Sequence, residues 1–345
     1  MTRDEGRSAA RLKDVARAAG VHTSTASRAL NERTAALVHA DTLDRVRETA
    51  ASMGYRVNGM ARALKTRRSC AIGMLVPDIT NPFFPPAVRG AEDALSQRGF
   101  SLLLANGDND EARARRQVGV MLEARVDGLL LAMARRDDPL VQELVAGPVP
   151  VVQLNRMTER GGVSAVVPDD FRGTALAVEH LHRLGHHRIG FVSPPMFSSN
   201  SAGRVQGFTE AAARLGLSLA PVTESESFNI AGGAAAASRM LAGEPSLTAI
   251  VAGNDLLAIG VLEAARQAGR SCPETLSVVG FNDMMLAAQV SPPLTTVRVP
   301  EYEVGRRAAE LLLAHIGDSE RPAETVFISS QLVVRSSTAR PADEA

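Results

Sequence analysis

The sequence predicts an all-α head that carries a helix-turn-helix, followed by an α/β body of two doubly wound lobes with parallel sheets. Two observations predict this division. In the first 56 residues, apolar side chains recur at helical spacing, whereas from Ala71 onward short apolar strands alternate with amphipathic helices. Because that alternation occurs in two successive series, we expect two α/β lobes.

The head is expected to hold three helices. Apolar positions between residues 12 and 19 share one helical face, and Gly20 ends that helix. A second short helix covers 23–30, a loop covers 31–38, and a third helix runs over about 40–53. The first two helices and the glycine between them form the helix-turn-helix.

A short segment joins the head to the body. Asn58 can cap a helix of one or two turns through Leu64, and a basic linker follows at 65–68. Helix nucleation is costly, so we expect this helix to form only when a partner packs on it. The predicted division begins with a disordered extension (1–10), the helix-turn-helix domain (11–56) and the hinge helix and linker (57–69). The two-lobed body (70–338) follows, with an N-lobe of about 70–169 and 298–328 and a C-lobe of about 170–297 and 329–338. A flexible tail is predicted at 339–345.

The body is expected to alternate strands and helices. The predicted strands are 71–77, 101–106, 128–133, 149–155 and 164–169, then 188–193, 248–254 and 276–283. The predicted helices are 87–98, 111–124 and 139–146, then 204–215, 232–241 and 256–267. Ligands of such sheets bind at the carboxyl ends of the strands, so the cleft between the lobes is the expected pocket.

Charge is distributed unevenly along the chain. The 345 residues have a net charge of zero, but residues 1–68 carry 14 Lys and Arg against 7 Asp and Glu, and the remainder carries 24 against 31. A basic end on an acidic body indicates a surface for a polyanion. Charge alone favours a solvated basic tail, because basic runs are usually solvated.

Several classes of protein are not expected. Cys70 and Cys272 form no pairing motif, and the N-terminus has no apolar segment of a secretory signal, so we expect a cytoplasmic protein. No apolar run is long enough to span a membrane. We recognise no nucleophile elbow, phosphate-binding loop or pair of catalytic carboxylates, and therefore expect neither an enzyme nor a cofactor.

The stretch LKDVARAAGVHTSTASRALN (12–31) points to DNA. Its second helix is rich in Thr, Ser and Arg, and short hydroxyl side chains allow a helix to approach base edges in the major groove. Arg28 can bind a guanine through two hydrogen bonds, and Thr25 and Ser27 can donate to phosphates.

This stretch resembles the head of the lactose/galactose repressor (LacI/GalR) family. The resemblance continues through VHADTLDRVRETAASMGY (38–55), NGMARAL (58–64), VPDITNPFF (76–84), VDGLLL (126–131), EHLHRLGHHRIGFV (179–192), GNDLLAIGVLEA (253–264), SVVGFND (277–283) and PPLTTVRVPEYEVGRRAAELLL (292–313). It implies a transcriptional regulator, expected to be a repressor, with a body like that of periplasmic binding proteins. It also implies a homodimer on a pseudo-palindromic double-stranded DNA operator.

The resemblance implies separate roles for residues of the head. Thr23, Ser24 and Arg28 match base-reading positions, and Thr25, Ser27 and Asn31 match phosphate contacts. In the hinge helix, Leu64 matches a leucine that wedges into the minor groove. Asn58, Ala61 and Lys65 accompany it in the same motif. An ordinary apolar hinge residue is the alternative for Leu64.

The head departs from the family pattern at three places. His22 stands where a serine usually caps the recognition helix, and His39 replaces a serine before the third helix. The loop 31–38 is about two residues longer than usual. These departures leave the stability of the head and its operator preference open.

The resemblance also implies a small effector, such as a sugar or a purine, in the cleft. Its expected contacts are the aromatic Phe83, Phe84 and Phe228 and the polar Asn155, Arg204, Asn254 and Asn282. Core packing is the alternative for the phenylalanines.

Two departures bear on the effector. Asn155 and Asn282 replace acids that are common in sugar binders, which disfavours a cationic ligand and leaves a neutral polar one open. Ala202 or Ser198 stands where an arginine often clamps the effector, which argues against the usual pose. A regulator without an effector also stays open.

Two further alternatives concern metal binding and the class of protein. The four histidines of EHLHRLGHHR (179–188) could in principle bind a metal, but no acidic or cysteine ligand pattern accompanies them, and we expect none. A two-lobed small-molecule-binding protein without a DNA function is the rival to a regulator. The tail has no leucine heptads, which argues against a tetramerising coiled coil.

Overall fold

The structure is a computed structural model that describes residues 10–30, 32–55 and 69–342. These residues form two compact units that divide between Ser69 and Cys70. The first unit is helical and the second is an α/β body with two sheets of six strands, which confirms the predicted fold class. The predicted hinge helix, with Asn58, Ala61, Leu64 and Lys65, lies outside the described residues, and so does Asn31.

The described part of the head has four helices: α1 (Leu12–Ala18), α2 (Thr23–Ala29), α3 (Glu32–Ala35) and α4 (Ala40–Ser52). Helix α3 lies where the sequence predicted only a loop. A small core of valine and alanine joins the helices through Val15, Ala16, Ala19, Ala26, Ala29, Val46 and Ala50. The Arg45 side chain of α4 also donates a 3.1 Å hydrogen bond to the Ala19 carbonyl at the end of α1.

The N-lobe begins the body. Its first elements are β1 (Ala71–Val76), α5 (Phe84–Ser96), β2 (Ser101–Asn106), α6 (Glu111–Glu123), β3 (Gly128–Leu131), α7 (Pro139–Val145), β4 (Val151–Leu154) and β5 (Ser164–Pro168). The chain returns later with α12 (Glu301–Gly317) and β11 (Thr325–Ile328). The sheet order is β11-β5-β4-β3-β1-β2, and every pair is parallel.

The C-lobe repeats this construction. Its elements are α8 (Asp170–Arg183), β6 (Ile189–Ser193), α9 (Ser199–Leu215), β7 (Val222–Glu224), α10 (Ile230–Gly243), β8 (Ala249–Ala252), α11 (Asp255–Gln267), β9 (Ser277–Asn282), a 3-10 turn (Met285–Ala288), β10 (Thr295–Arg298) and β12 (Gln331–Val333). The sheet order is β12-β10-β9-β8-β6-β7. The edge strand β12 runs antiparallel to β10, whereas the other pairs of this sheet are parallel, as predicted.

Some helices begin earlier than the sequence predicted. Helix α5 begins at Phe84 rather than at residue 87, because Pro85 and Pro86 occupy its first turn, where a missing backbone N–H costs no hydrogen bond. Helix α9 begins at Ser199 rather than at Arg204. The earlier start places Arg204 in the second turn of the helix, which matters for the cleft.

Glycines let the returning helix α12 lie close to α5. A Cβ on Gly305 would stand 1.8 Å from the Ala87 carbonyl oxygen, and one on Gly90 would stand 2.0 Å from that of Tyr302. The backbones of the two helices therefore touch. This close packing holds the late segment 301–328 in the N-lobe, so the chain crosses between the lobes after β5, after β10 and after β11.

Ordered contacts reach further into the C-terminal tail than the sequence predicted. The Ala339 backbone N–H donates to Ser277 Oγ at 3.0 Å, and its carbonyl accepts from His186 Nε2 at 2.9 Å. These two bonds connect the first residue of the predicted tail to the C-lobe. Within the described residues, no helix is both long and apolar enough to cross a membrane.

Candidate functional site

The head presents α2 on its surface. Gly20 adopts a left-handed φ of +65°, which turns the chain sharply after α1. Ala26 and Ala29 then point into the core, and the side chains of Thr23, Ser24 and Arg28 are exposed. Thr25 and Ser27 are half-buried. The three predicted base readers thus lie on solvent-facing positions of one helix.

His22 caps this helix in place of a serine. Its Nδ1 accepts a hydrogen bond from the Ser24 backbone N–H at 3.3 Å and lies 2.7 Å from Ser24 Oγ. A ring nitrogen therefore does what a serine hydroxyl would do at this position. His39 makes no such cap bond to α4 and instead forms an exposed ion pair with Asp41 at 3.7 Å.

The longer loop contributes a second contact to α2. Helix α3 folds within it, and Thr34 Oγ1 donates a 3.0 Å hydrogen bond to the Arg28 carbonyl at the carboxyl end of α2. The last carbonyls of a helix lack partners within the helix. The loop thus supports the end of the helix that carries Arg28.

The cleft of the body gathers polar side chains from both lobes. Ten residues line a small cavity of about 20 Å³ that is partly open to solvent. They are Asn81, Phe83, Phe84, Asn155, Arg156, Asn200, Arg204, Phe228, Asn254 and Asn282. All seven residues that the sequence predicted for the effector are among them. Asn81, Arg156 and Asn200 were missed.

Strand ends explain how these residues meet. Asn155 follows β4, Asn254 follows β8 and Asn282 ends β9, so all three lie at carboxyl ends of parallel strands. Asn155 and Asn282 have positive φ angles of 63° and 111°, which asparagine tolerates better than most residues. This backbone turns each chain at the end of its strand.

Arg204 is held rigidly in the cavity wall. Its Nε donates to Asp170 Oδ1 at 2.7 Å, its Nη1 donates to the Gly253 carbonyl, and its Cζ lies 3.9 Å from the centre of the Phe281 ring. Burial raises the pKa of Asp170 to about 6, and the positive charge of Arg204 opposes that rise. At neutral pH the two therefore form a buried ion pair.

Asn254 has a structural task as well as a place in the cavity. Its Oδ1 accepts from the Leu257 N–H at 2.7 Å and caps α11, and its Nδ2 donates to the Phe228 carbonyl at 3.1 Å. Asn282 differs, because its Oδ1 is buried without a hydrogen-bond partner among the described residues. Asn282 therefore keeps a free acceptor for a ligand.

Arg156 is the most informative residue that sequence reasoning missed. It is 3% exposed, donates to Asn109 Oδ1 at 2.8 Å, and leaves its Nε without a partner among the described residues. Burial, helped by the nearby charges of Arg204 and Arg135, lowers its pKa to about 9. Its position directly after Asn155 at a strand end was the available signal. Positions 198 and 202 carry Ser and Ala where the family often has an arginine. The cavity nevertheless holds two arginines, Arg156 and Arg204.

The aromatic residues divide into two groups. Phe83 and Phe84 are each 3% exposed and meet edge to face at 5.1 Å, so they serve the core as well as the cavity. Phe228 is half-buried, stands 4.5 Å from the Arg156 guanidinium and meets Phe197 at 5.8 Å. Both ring pairs offer apolar faces to a ligand.

The segment around Phe197 also bridges the lobes. The Arg136 backbone N–H donates to the Phe197 carbonyl at 3.0 Å, and the Met157 N–H donates to Ser199 Oγ at 2.9 Å. The Arg135 guanidinium lies 4.5 Å from the Phe197 ring. These contacts join the N-lobe to the C-lobe beside the cavity.

Two of the four histidines in the segment 179–188 make side-chain hydrogen bonds within the C-lobe. His186 contacts Thr248, Ser277 and the Ala339 carbonyl, and His180 contacts Thr338 at 3.0 Å. Burial lowers the pKa of both rings. Within the part of the chain that the structure describes, no three potential metal ligands lie together.

Known proteins match both units. Residues 11–58 match bacterial regulatory proteins of the lacI family, and residues 178–338 match the periplasmic binding protein-like domain. The ribose operon repressor of Escherichia coli (strain K12) is 32% identical over 330 residues, which cover 95% of this chain and 99% of that protein.

Solved structures agree with these matches. A LacI family transcriptional regulator from Enterococcus faecium with bound ribose is 32% identical, with a TM-score of 0.71 over 79% of this chain and all of the other. The lac repressor dimer bound to operator and the anti-inducer ONPF is 24% identical, with a TM-score of 0.85 over 96% of this chain and all of the other. At that identity the second likeness bears on the fold alone.

Proposed function

This chain belongs to the LacI family of bacterial regulatory proteins, a family of DNA-binding transcriptional regulators, and we propose that it is a repressor whose operator affinity changes when a small polyhydroxylated effector binds between its lobes. The observation that carries the proposal is the ring of amide and guanidinium groups around the cavity. Two polar atoms there, Asn282 Oδ1 and Arg156 Nε, have no partner among the described residues. Buried polar atoms of this kind are stabilised when a ligand supplies their hydrogen bonds.

The composition of the cavity wall favours a sugar-like ligand. Amides both donate and accept, as hydroxyl groups do, so the five asparagines suit a ligand with many hydroxyls. Relatives named as ribose operon repressors and a neighbour with bound ribose support the same class of ligand.

In the proposed complex with DNA, α2 lies in the major groove. Thr23, Ser24 and Arg28 read base edges, and Thr25 and Ser27 contact phosphates together with Asn31. Leu64 wedges into the minor groove from a hinge helix that includes Asn58, Ala61 and Lys65. The exposure of Thr23, Ser24 and Arg28 supports this arrangement in the head.

The chain is proposed to act as a homodimer in the cytoplasm, where its DNA is. Each head reads one half-site of a pseudo-palindrome. An effector that prefers one arrangement of the lobes changes the affinity for DNA by its differential binding, and DNA changes the affinity for the effector by the same factor.

Replacement of one base reader tests the DNA proposal. An operator is first selected from random duplexes with the full chain, and binding is then measured by fluorescence anisotropy. Arg28→Ala should weaken the selected operator by about 1–3 kcal/mol and relax the choice of base at one position, because a bidentate contact to guanine is lost.

Arg116→Ala is the matched control, since this exposed arginine lies on α6 in the body. Its affinity for the operator should equal that of the natural chain. Equal operator affinity and base preference in Arg28→Ala would show that α2 does not read the bases through Arg28.

A further inference from the structure

Arg156 carries a positive charge that no described side chain balances. It is 3% exposed and lines both the cavity and its mouth. Its contacts are Asn109 Oδ1 and the faces of Phe228 and Phe197, and none of the described carboxylates forms an ion pair with it. Charged groups are rarely buried unless they are paired, so the missing partner calls for an explanation.

The other cationic group of the cavity is already neutralised. Arg204 forms its buried ion pair with Asp170 at 2.7 Å. The pair contributes no net charge while Asp170 is ionised. One uncompensated positive charge therefore remains in the cavity, on Arg156.

The rest of the cavity wall is neutral. It consists of five asparagines (Asn81, Asn155, Asn200, Asn254 and Asn282) and three phenylalanines (Phe83, Phe84 and Phe228). Amides can accept hydrogen bonds from a ligand but cannot cancel the charge of a guanidinium. The aromatic face of Phe228 at 4.5 Å offsets only part of the cost of burying that charge.

Carboxylates occur near the cavity but are engaged elsewhere or lie further out. Asp255 accepts from Thr296 Oγ1 and the Met284 N–H at 2.5 and 2.7 Å. Asp78, Asp108 and Glu226 line the mouth, and Asp108 pairs there with Arg113. This acidic rim disfavours a ligand with two negative charges and leaves room for one with a single charge.

We propose that the effector is a small polyhydroxylated monocarboxylate, a sugar acid rather than a neutral sugar, whose carboxylate pairs with Arg156 in the cavity. This inference rests on the proposed effector site and specifies its ligand. The planar guanidinium suits a carboxylate because it offers two parallel N–H donors. The asparagine amides then bind the hydroxyl groups, and the carbon chain packs on the phenylalanine rings.

Matched pairs of ligands test the proposal on the full chain. Aldonates and uronates of four to six carbons, D-ribonate and D-gluconate among them, are compared by calorimetry at pH 7.5 with the neutral sugar of the same stereochemistry. D-ribose 5-phosphate represents a dianion. At least one acid should bind ten times more tightly than its neutral partner and than the phosphate.

The other outcomes separate the two proposals. Neutral sugars that bind as tightly as their acids, or a phosphate that binds best, would overturn the sugar-acid inference and leave the effector site standing. Absence of binding by every acid, neutral sugar and phosphate in the panel would contradict both proposals.

Variants of the cavity locate the carboxylate. Arg156→Gln should weaken the best acid at least tenfold and its neutral partner less than threefold, whereas Arg156→Lys should retain a preference for the acid. Arg160→Gln, which changes an exposed arginine, should leave both affinities unchanged. An unaltered acid preference in Arg156→Gln would place the carboxylate elsewhere and overturn the inference.

Asn155→Asp provides a test that leaves Arg156 in place, in case its replacement prevents folding. Aspartate tolerates the left-handed backbone of residue 155, and its charge would balance the neighbouring guanidinium. The preference should then shift at least tenfold toward the neutral sugar. A preference that does not move would count against Arg156 as the source of the selectivity.

Discussion

The head and the body place their polar side chains in opposite ways. Across 10–30 and 34–55, where the structure describes side chains of the head, every buried residue is valine or alanine. The described part of the body, by contrast, buries 22 polar or charged side chains from Gln153 onward. In the head, the residues proposed to act on DNA lie at or near the surface. In the body, the residues around the cavity are mostly buried and hold the fold together at the same time.

This difference predicts how each region responds to mutation. A change on the exposed face of α2 should alter DNA binding with little effect on folding, since exposed substitutions are usually mild. A change in the cavity should affect ligand binding and stability together, because Arg204 and Asn254 make structural bonds. Three measurements test this contrast.

The largest effect is expected for Arg204→Ala. The substitution leaves Asp170 buried without its partner, which typically costs about 3–5 kcal/mol. Urea unfolding followed by circular dichroism measures the loss. Arg214→Ala is the control: that arginine is 57% exposed beside Glu179, so its loss should cost less than about 1 kcal/mol. Equal losses in both variants would remove the distinction between buried and exposed charge in this body.

Asp255 should make the stability of the body depend on pH. Burial raises its pKa from 3.8 to about 7, so folding favours the protonated form. That contribution is fully present below pH 4 and is lost as the pH rises through 7. Relative to Asp255→Asn, the natural chain should therefore lose about 2–3 kcal/mol of unfolding free energy between pH 5 and pH 8.

The measurement is urea unfolding of both chains at several pH values. Only the way the difference in unfolding free energy between the two chains changes with pH is informative, because the Asp255→Asn substitution also removes one hydrogen-bond acceptor at every pH. Glu123→Gln, an exposed replacement on α6, should show no such change relative to the natural chain. A difference between the Asp255→Asn and natural chains that stays constant with pH would show that this carboxylate is ionised at all the values tested.

The smallest effect is expected in the head. His22→Ala removes the side-chain acceptor for the Ser24 N–H and should destabilise α2 by about 1 kcal/mol. His39→Ala removes only an exposed ion pair and should cost no more than about 0.5 kcal/mol. Amide hydrogen exchange of α2 in the full chain reports both. Similar protection in the two variants would mean that His22 does not stabilise the helix.

Local sequence patterns predicted most of the head. The helix-turn-helix needs only apolar spacing, a glycine for the positive φ and polar residues on the outer face, and all three are visible within 20 residues. Helix α3 was missed because it is only four residues long, and its contact from Thr34 to the Arg28 carbonyl depends on how the loop folds back.

In the body, contiguous segments of the sequence were enough to predict the alternation of strands and helices and the polar residues at strand ends, because both are local features. The resemblance predicted seven effector contacts, and the structure places all seven around one cavity. They are Phe83, Phe84, Asn155, Arg204, Phe228, Asn254 and Asn282. Which buried polar groups have partners depends on the tertiary fold. Arg204 meets Asp170 from another helix, and Arg156 meets no carboxylate among the described residues. Pairing of buried charges depends on which distant segments the fold brings within a few ångströms, and no local pattern contains that information.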